Sequence, residues 1–215
     1  MNSASETLLE IEDLSLRVGE RTLFEQLCLR ISPGERVTVQ GPSGCGKSSL
    51  LRAVLGFWPP TEGTVRVGGE VLDDHSVWHL RLRMAWVPQE ADLGPGTVLE
   101  ALDRPLAYHA NRRIQRDEAQ LRSWMGDLAL SREILDQPTD RLSGGEKQRV
   151  ALLAALQLQR PLLLLDEPVS ALDGDNRARV AKLLGQQKDQ SILAVSHDRE
   201  GLGLDERFLH LGELG

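Results

Sequence analysis

The sequence predicts an α/β fold: buried parallel strands alternate with helices, an antiparallel β layer comes first, and a helical segment is inserted later. Three observations carry this. Residues 36–40 are rich in β-branched side chains and residues 162–165 are fully apolar, the composition of strands covered on both faces. Strand and turn patterns fill the first ninety residues, and from Glu90 to Leu142 the pattern turns helical with no clear strand. With 215 residues, 40% of them hydrophobic and 27% charged, the chain can bury the core of one globular domain.

In order, residues 8–11, 14–18 and 23–31 read as short strands, separated by Gly19-Glu20-Arg21 and closed by Pro33-Gly34. Residues 36–40 form the next strand and residues 49–55 a helix. Residues 64–67 and 70–72 flank Gly68-Gly69, a hairpin signal. Residues 84–87 form a strand that ends at Pro88-Gln89. In the helical stretch Leu121, Trp124, Met125 and Leu128 fall at i, i+3, i+4 and i+7, one apolar face. Trp124 and Met125 therefore read as core, and Arg112, Arg113 and Arg116 as a solvated face. Residues 192–195 form a strand just before His197.

Net charge is −7, so a broad basic footprint for nucleic acid is absent. Two cysteines make no disulfide framework or metal knuckle. Cys28 reads as a small buried hydrophobe, and Cys45 as an exposed thiol whose oxidation would block the loop around it. Residues 1–6 lack the basic and apolar regions of a secretory signal, and the most apolar window, residues 150–158, is too short to span a bilayer. The expectation is a cytoplasmic protein that reaches a membrane only through a partner.

The chemistry starts at Gly41-Pro42-Ser43-Gly44-Cys45-Gly46-Lys47-Ser48, which fits GxxxxGK[ST] between a strand and a helix. Glycines let backbone N–H groups turn inward around phosphate oxygens, and the helix N-terminus adds roughly half a positive charge toward the same anion. Lys47 suits the β- and γ-phosphates and the Ser48 hydroxyl suits Mg2+. This loop alone leaves kinase, GTPase and ATPase open. Asp166-Glu167 ends the apolar run at 162–165, where two carboxylates are costly unless a cation is near. Mg2+ on a nucleotide is the natural partner, with Asp166 on the metal and Glu167 free to polarise water. Between the two sites, Leu142-Ser143-Gly144-Gly145-Glu146-Lys147-Gln148-Arg149 is a Ser-Gly-Gly turn running into a helix, a second anion cradle. Two cradles in one chain make sense if nucleotide is shared between chains.

With these residues in place, the sequence resembles the ABC ATPase family, whose signature is LSGG[EQ], over nearly its whole length. The motifs occur in the family's order: the P-loop, Gln89 as the Q-loop, the LSGGE signature, Walker B at 162–167, Ser170-Ala171-Leu172-Asp173 as the D-loop and Ser196-His197-Asp198 as the H-loop. The resemblance implies an α/β P-loop NTPase (RecA-like) core with an N-terminal antiparallel β layer and an inserted α-helical subdomain. It implies one domain over 1–215, with 1–89 and 158–215 forming the β layer and core and 90–157 the helical part. It also implies ATP and Mg2+ as cofactors and a head-to-tail homodimer, ATP on Gly41 to Ser49 of one subunit being closed by Ser143, Gly144, Gly145 and Glu146 of the other. By the same resemblance Glu167 is the general base, His197 contacts the γ-phosphate, Gln89 senses metal and attacking water beside Ser48 and Asp166, and Asp173 links the two sites.

Three departures are visible. Val18 occupies the place of the aromatic that stacks on adenine, which implies weaker ATP affinity or looser base selectivity; Ser49 replaces the commoner Thr. Ala154 stands where many members carry Arg, implying a lost intersubunit or nucleotide-side contact. A single cassette with a short helical insert resembles the energy-coupling subunit of a bacterial transporter, bound to the inner face of the membrane through an integral permease whose cytoplasmic helix enters a groove near Gln89. Thr97 to Leu102, Arg104-Pro105-Leu106 and residues 143–158 are similar to cassettes paired with an iron or metal-ion exporter permease. The alternative is a soluble ATP-driven switch that acts on a protein partner. A P-loop kinase would leave the signature and His197 unexplained.

Overall fold

The computed structural model describes residues 7–198 and 201–212. The reading of residues 1–6 lies outside them. Along the chain run β1 (Leu9–Val18), β2 (Arg21–Ile31), β3 (Arg36–Gln40), α1 (Lys47–Val54), β4 (Glu62–Val67), β5 (Glu70–Val71), α2 (Val77–Leu80) and β6 (Met84–Val87). Then come α3 (Val98–Ala107), α4 (Glu118–Asp127), α5 (Gly144–Leu156), β7 (Leu162–Asp166), α6 (Gly174–Gln186), β8 (Ser191–Ser196) and β9 (Arg207–His210).

Two sheets result. The first is antiparallel in the order β2-β1-β4-β5, and the second is parallel in the order β6-β7-β8-β3-β9. Period two decides how the parallel sheet is covered. Leu163 and Leu165 of β7, with Ile192 and Ala194 of β8, face a core shared with α3, α4, α5 and α6. Leu162 and Leu164, with Leu193 and Val195, face α1 and the antiparallel sheet. Both faces are thus buried, which is why β7 reads as an unbroken apolar run.

The helical part packs as its pattern predicts, with Leu121, Trp124, Met125 and Leu128 all buried. Its core is continuous with one face of the parallel sheet. Gly68 and Gly69 both take positive φ, 59° and 82°, as a two-residue hairpin loop requires. Among the described residues no helix is long and apolar enough to cross a membrane.

Four expectations are corrected. Residues 8–11 and 14–18 form one strand, because Asp13 at φ 48° absorbs a bulge and its N–H bonds Cys28 Sγ at 3.3 Å, so β1 continues past it. Arg21 pairs with Val18 and opens β2. Cys28 is exposed, because the irregularity at Gln26 (φ 50°) resets the inward phase to Leu27, Leu29 and Ile31. Arg116 is largely buried, held by Asp103, Glu118 and Gln157 Oε1.

Candidate functional site

The C-terminal ends of β3, β6, β7 and β8 gather the predicted groups at one edge of the parallel sheet, where open α/β sheets place their ligands. Residues 41–46 connect β3 to α1, with Pro42, Ser43 and Gly44 on an exposed rim. Gly46 caps α1 at φ 104°, and a Cβ there would lie 3.0 Å from Leu23 Cβ and from Phe24 Cδ1. At Gly41 a Cβ would meet the Leu211 carbonyl oxygen at 2.5 Å. Packing therefore demands glycine at both ends of the loop.

Lys47, 5% exposed, donates from Nζ to the carbonyl oxygens of Gly41 (2.8 Å) and Pro42 (3.0 Å), which holds its ammonium over the loop. Ser48 Oγ donates to Asp166 Oδ1 at 2.8 Å. Ser49 follows on α1, half-buried. Cys45, expected to be exposed, is half-buried because its side chain turns beneath the loop toward Gly41.

Asp166 is buried, and burial raises its carboxyl above the ordinary aspartate value; the Ser48 bond opposes this and the Glu167 charge adds to it. The next residue, Glu167, turns the chain with φ 48°, its N–H bonded to the Val195 carbonyl at 3.0 Å. Its Oε2 accepts from Gln89 Nε2 at 3.3 Å and is 2.9 Å from His197 Nδ1. Three predicted residues from three strand ends therefore meet at one carboxylate oxygen. Ser48 with Asp166 joins an alcohol to a buried, hard carboxylate that has only partial compensation, a donor pair suited to Mg2+.

The signature is built differently. Ser143 is the N-cap of α5, and its Oγ accepts from the Glu146 N–H at 3.3 Å. Glu146 Oε2 accepts from the Ser143 N–H (2.9 Å) and Oγ–H (2.7 Å), and these bonds, the side-chain one first, hold its carboxyl below the ordinary glutamate range. Glu146 is thus engaged in the cap. Gly144 is exposed, and a Cβ on it would meet nothing within 4 Å. The D-loop is capped in the same manner, Asp173 accepting from the Asn176 N–H at 2.8 Å, the first cause of its lowered carboxyl pKa. Among the described residues no hydrogen bond joins Ser143, Gly144, Gly145 or Glu146 to residues 41–48 of the same chain.

Sequence reasoning missed three connections. Gln148, buried on α5, donates from Nε2 to the Pro88 carbonyl at 3.2 Å and so ties the signature helix to the segment bearing Gln89. Arg149 reaches Asn176, which in turn bonds Asp173, linking α5 to the D-loop. Arg21 Nη2 donates to the Gly44 carbonyl at 2.9 Å, on the rim of the loop. Each partner lies on another element, so spacing along the chain carries no signal of it.

Ala154 lines a groove with Trp86, Pro88, Leu93, Arg104 and Tyr108. Val18 is 49% exposed at the end of β1.

The family described as ABC transporter matches residues 24–170. An Fe(3+) ions import ATP-binding protein of Pectobacterium atrosepticum is 35% identical over 170 residues, covering 75% of this chain and 45% of that protein. A hemin import ATP-binding protein of Streptomyces coelicolor is 35% identical over 161 residues, covering 74% of this chain and 57% of that protein. The chain spans about half the length of these curated relatives. Among solved structures, a dimeric post-hydrolysis state of the ATP-binding cassette MJ0796 bound to ADP and Pi superposes with TM-score 0.78 at 28% identity over 94% of each chain.

Proposed function

The chain belongs to the ABC transporter family, and from that premise we propose that it is an ATP-hydrolysing energy-coupling subunit. It works as a head-to-tail homodimer bound to an integral membrane permease on the cytoplasmic face. The observation that carries this is the meeting of Gln89 and His197 on Glu167 Oε2, beside a complete phosphate loop.

In this reading backbone N–H groups of residues 41–48 and the α1 N-terminus bind the β- and γ-phosphates, and Lys47 leaves its carbonyl partners for them. Ser48, Asp166 and Gln89 would hold Mg2+, which when bound neutralises phosphate charge. Glu167 orients the attacking water and takes its proton. His197 Nδ1 fixes the carboxylate and its ring reaches the γ-phosphate side. The exposed Ser143 and Gly144, with the α5 N-terminus behind them, close the nucleotide held by the second copy.

The groove lined by Trp86, Pro88, Leu93 and Tyr108 starts beside Gln89 and offers a seat for a helix of the permease; the acidic balance speaks against nucleic acid. The narrower sequence resemblance is to metal-ion export cassettes, and the named relatives import Fe(3+) and hemin. We therefore take an iron or metal-ion species as the cargo class, with direction set by the permease that lines the path.

The test is the order of the reaction. Mg2+-dependent ATP hydrolysis without a phosphoacceptor should rise more steeply than linearly with protein concentration below the dimer dissociation constant. Strictly proportional activity would overturn the shared site. A membrane-spanning protein should be retained by the ATP-bound chain from detergent-solubilised host membranes; retention of soluble proteins only would favour the switch.

A further inference from the structure

His197 meets Glu167 with a ring that is half exposed, so the contact depends on how the backbone on either side of it is held. The two segments leave different strand ends. After β7, the Glu167 carbonyl accepts from the Ser170 N–H at 3.2 Å and from the Ser170 Oγ–H at 3.0 Å. After β8, Asp198 donates its N–H to Ser196 Oγ at 3.0 Å, and its carbonyl accepts from Gln40 Nε2 at 2.9 Å. Each set of bonds secures one segment. Arg177 joins the two: its Nε donates to the Val169 carbonyl at 3.2 Å, two residues past Glu167, and its Nη1 donates to Asp198 Oδ2 at 2.8 Å, next to His197. It stands in the first turn of α6, its own N–H bonded to the carbonyl of the N-cap Asp173 at 2.9 Å.

We infer that Arg177 is a positioning residue of the hydrolytic site: its guanidinium sets the separation of the Glu167 and His197 segments, and with it the contact between the carboxylate and the imidazole. This rests on the ATP-hydrolysing reading proposed above. A guanidinium is a rigid planar fork, so two acceptors held by its Nε and Nη1 cannot move apart independently. An ammonium offers one nitrogen on a flexible stem and imposes no such spacing. Because Arg177 rises from the helix that Asp173 caps, a shift of that helix end moves both segments together. Among the described residues its side chain bonds none of residues 41–48, so phosphate binding does not depend on it.

Two readouts on the whole chain test this, one of them without turnover. In histidine nitrogen NMR of the nucleotide-free chain, Arg177→Met should shift the His197 Nδ1 resonance and leave those of His75, His79, His109 and His210 in place, which also shows that the variant folds. In Mg-ATP hydrolysis the same variant should lower kcat by about 10- to 100-fold, the scale of an ångström-sized misplacement, with KM within about twofold of wild type. Arg177→Lys should fall between the two in both readouts, and it takes the place of Arg177→Met if that variant moves all five histidines. An unmoved His197 resonance would overturn the inference, as would an unchanged kcat, a loss confined to KM, or a Lys variant as active as wild type. A wild-type chain that hydrolyses no ATP would overturn the enzymatic reading, while the NMR comparison would still decide whether Arg177 sets the His197 contact.

Discussion

Replacing Ser143 separates its structural role from the proposed chemical one, because the hydroxyl that caps α5 is the one that would meet the partner's nucleotide. Its Oγ caps α5 by accepting the Glu146 N–H, and it also donates to the Glu146 carboxylate. Ser143→Ala removes the cap and costs about 1 kcal/mol, whereas Ser143→Gly costs only a few tenths, since glycine leaves the end of the helix accessible to water. For a chain of this length 1 kcal/mol corresponds to roughly 2–4 °C in Tm. A hydroxyl that also meets the γ-phosphate of the partner's nucleotide contributes a hydrogen bond to a charged group, about 1.5–3 kcal/mol, or roughly 10- to 150-fold in rate. Both variants should therefore lose hydrolysis to a similar extent although only Ser143→Ala melts measurably lower. Phosphate release at 25 °C and thermal melts, run on the same preparations, give the two numbers. If the glycine variant keeps most of its activity and loss tracks Tm, Ser143 is a cap alone and the shared-site reasoning fails.

Glu167→Gln should reduce hydrolysis by about 10²–10⁴-fold, the usual contribution of a positioned base, while nucleotide-dependent dimer accumulates on size exclusion; unchanged turnover would move the base elsewhere. Asp166→Asn bears on stability and pH. Because burial raises the Asp166 carboxyl, the folded chain holds that proton more tightly than the unfolded one, so its contribution is full below the ordinary aspartate value and is lost as pH rises through the raised value. The nucleotide-free Asn variant should then melt above wild type at about pH 8, with the gap closing toward about pH 4; a gap that widens on acidification would contradict the burial argument. Gly46→Ala, at φ 104° and against Leu23 and Phe24, should cost about 1–3 kcal/mol in urea unfolding and abolish nucleotide binding.

Where a pattern is local, the sequence carries it far. The β-branched run at 36–40 and the run at 84–87 become β3 and β6 with the expected bounds, because strand period and burial agree there. Legibility ends where backbone geometry overrides pattern. Asp13 looks like a strand terminator, yet its positive φ and the Cys28 thiol let β1 continue. β9 went unseen because Arg207–His210 is short and mostly exposed, with no apolar alternation. Its evidence is its pairing with β3, some 170 positions earlier, and the Arg207 bonds to Glu35 and the Arg30 carbonyl. The site divides in the same way. Each motif announces its residue types, but that Gln89 and His197 meet on one oxygen of Glu167 follows from the strand order β6-β7-β8, which brings three distant strand ends side by side.

That strand order also explains why the signature cannot complete the site from within its own chain. Glu167, Gln89 and His197 are fixed to the sheet edge by strand ends, whereas Ser143 sits at the start of α5, whose Val150, Leu152, Leu153, Ala155 and Leu156 are committed to the core shared with α3, α4 and α6. Moving Ser143 onto residues 41–48 of the same chain would require α5 to leave that core, exposing Val150, Leu152, Leu153 and Leu156; at about 1.5–3 kcal/mol for each buried side chain, this exceeds what a few hydrogen bonds to phosphate return. In the proposed dimer a second copy would bring the same exposed Ser143 and Gly144 to the phosphate without unpacking anything. The signature helix is then connected to its own D-loop through Arg149 and Asn176 and to the Gln89 segment through Gln148. In the proposed dimer, closure on a partner's nucleotide would therefore reach the Gln89 segment and the D-loop through these hydrogen bonds.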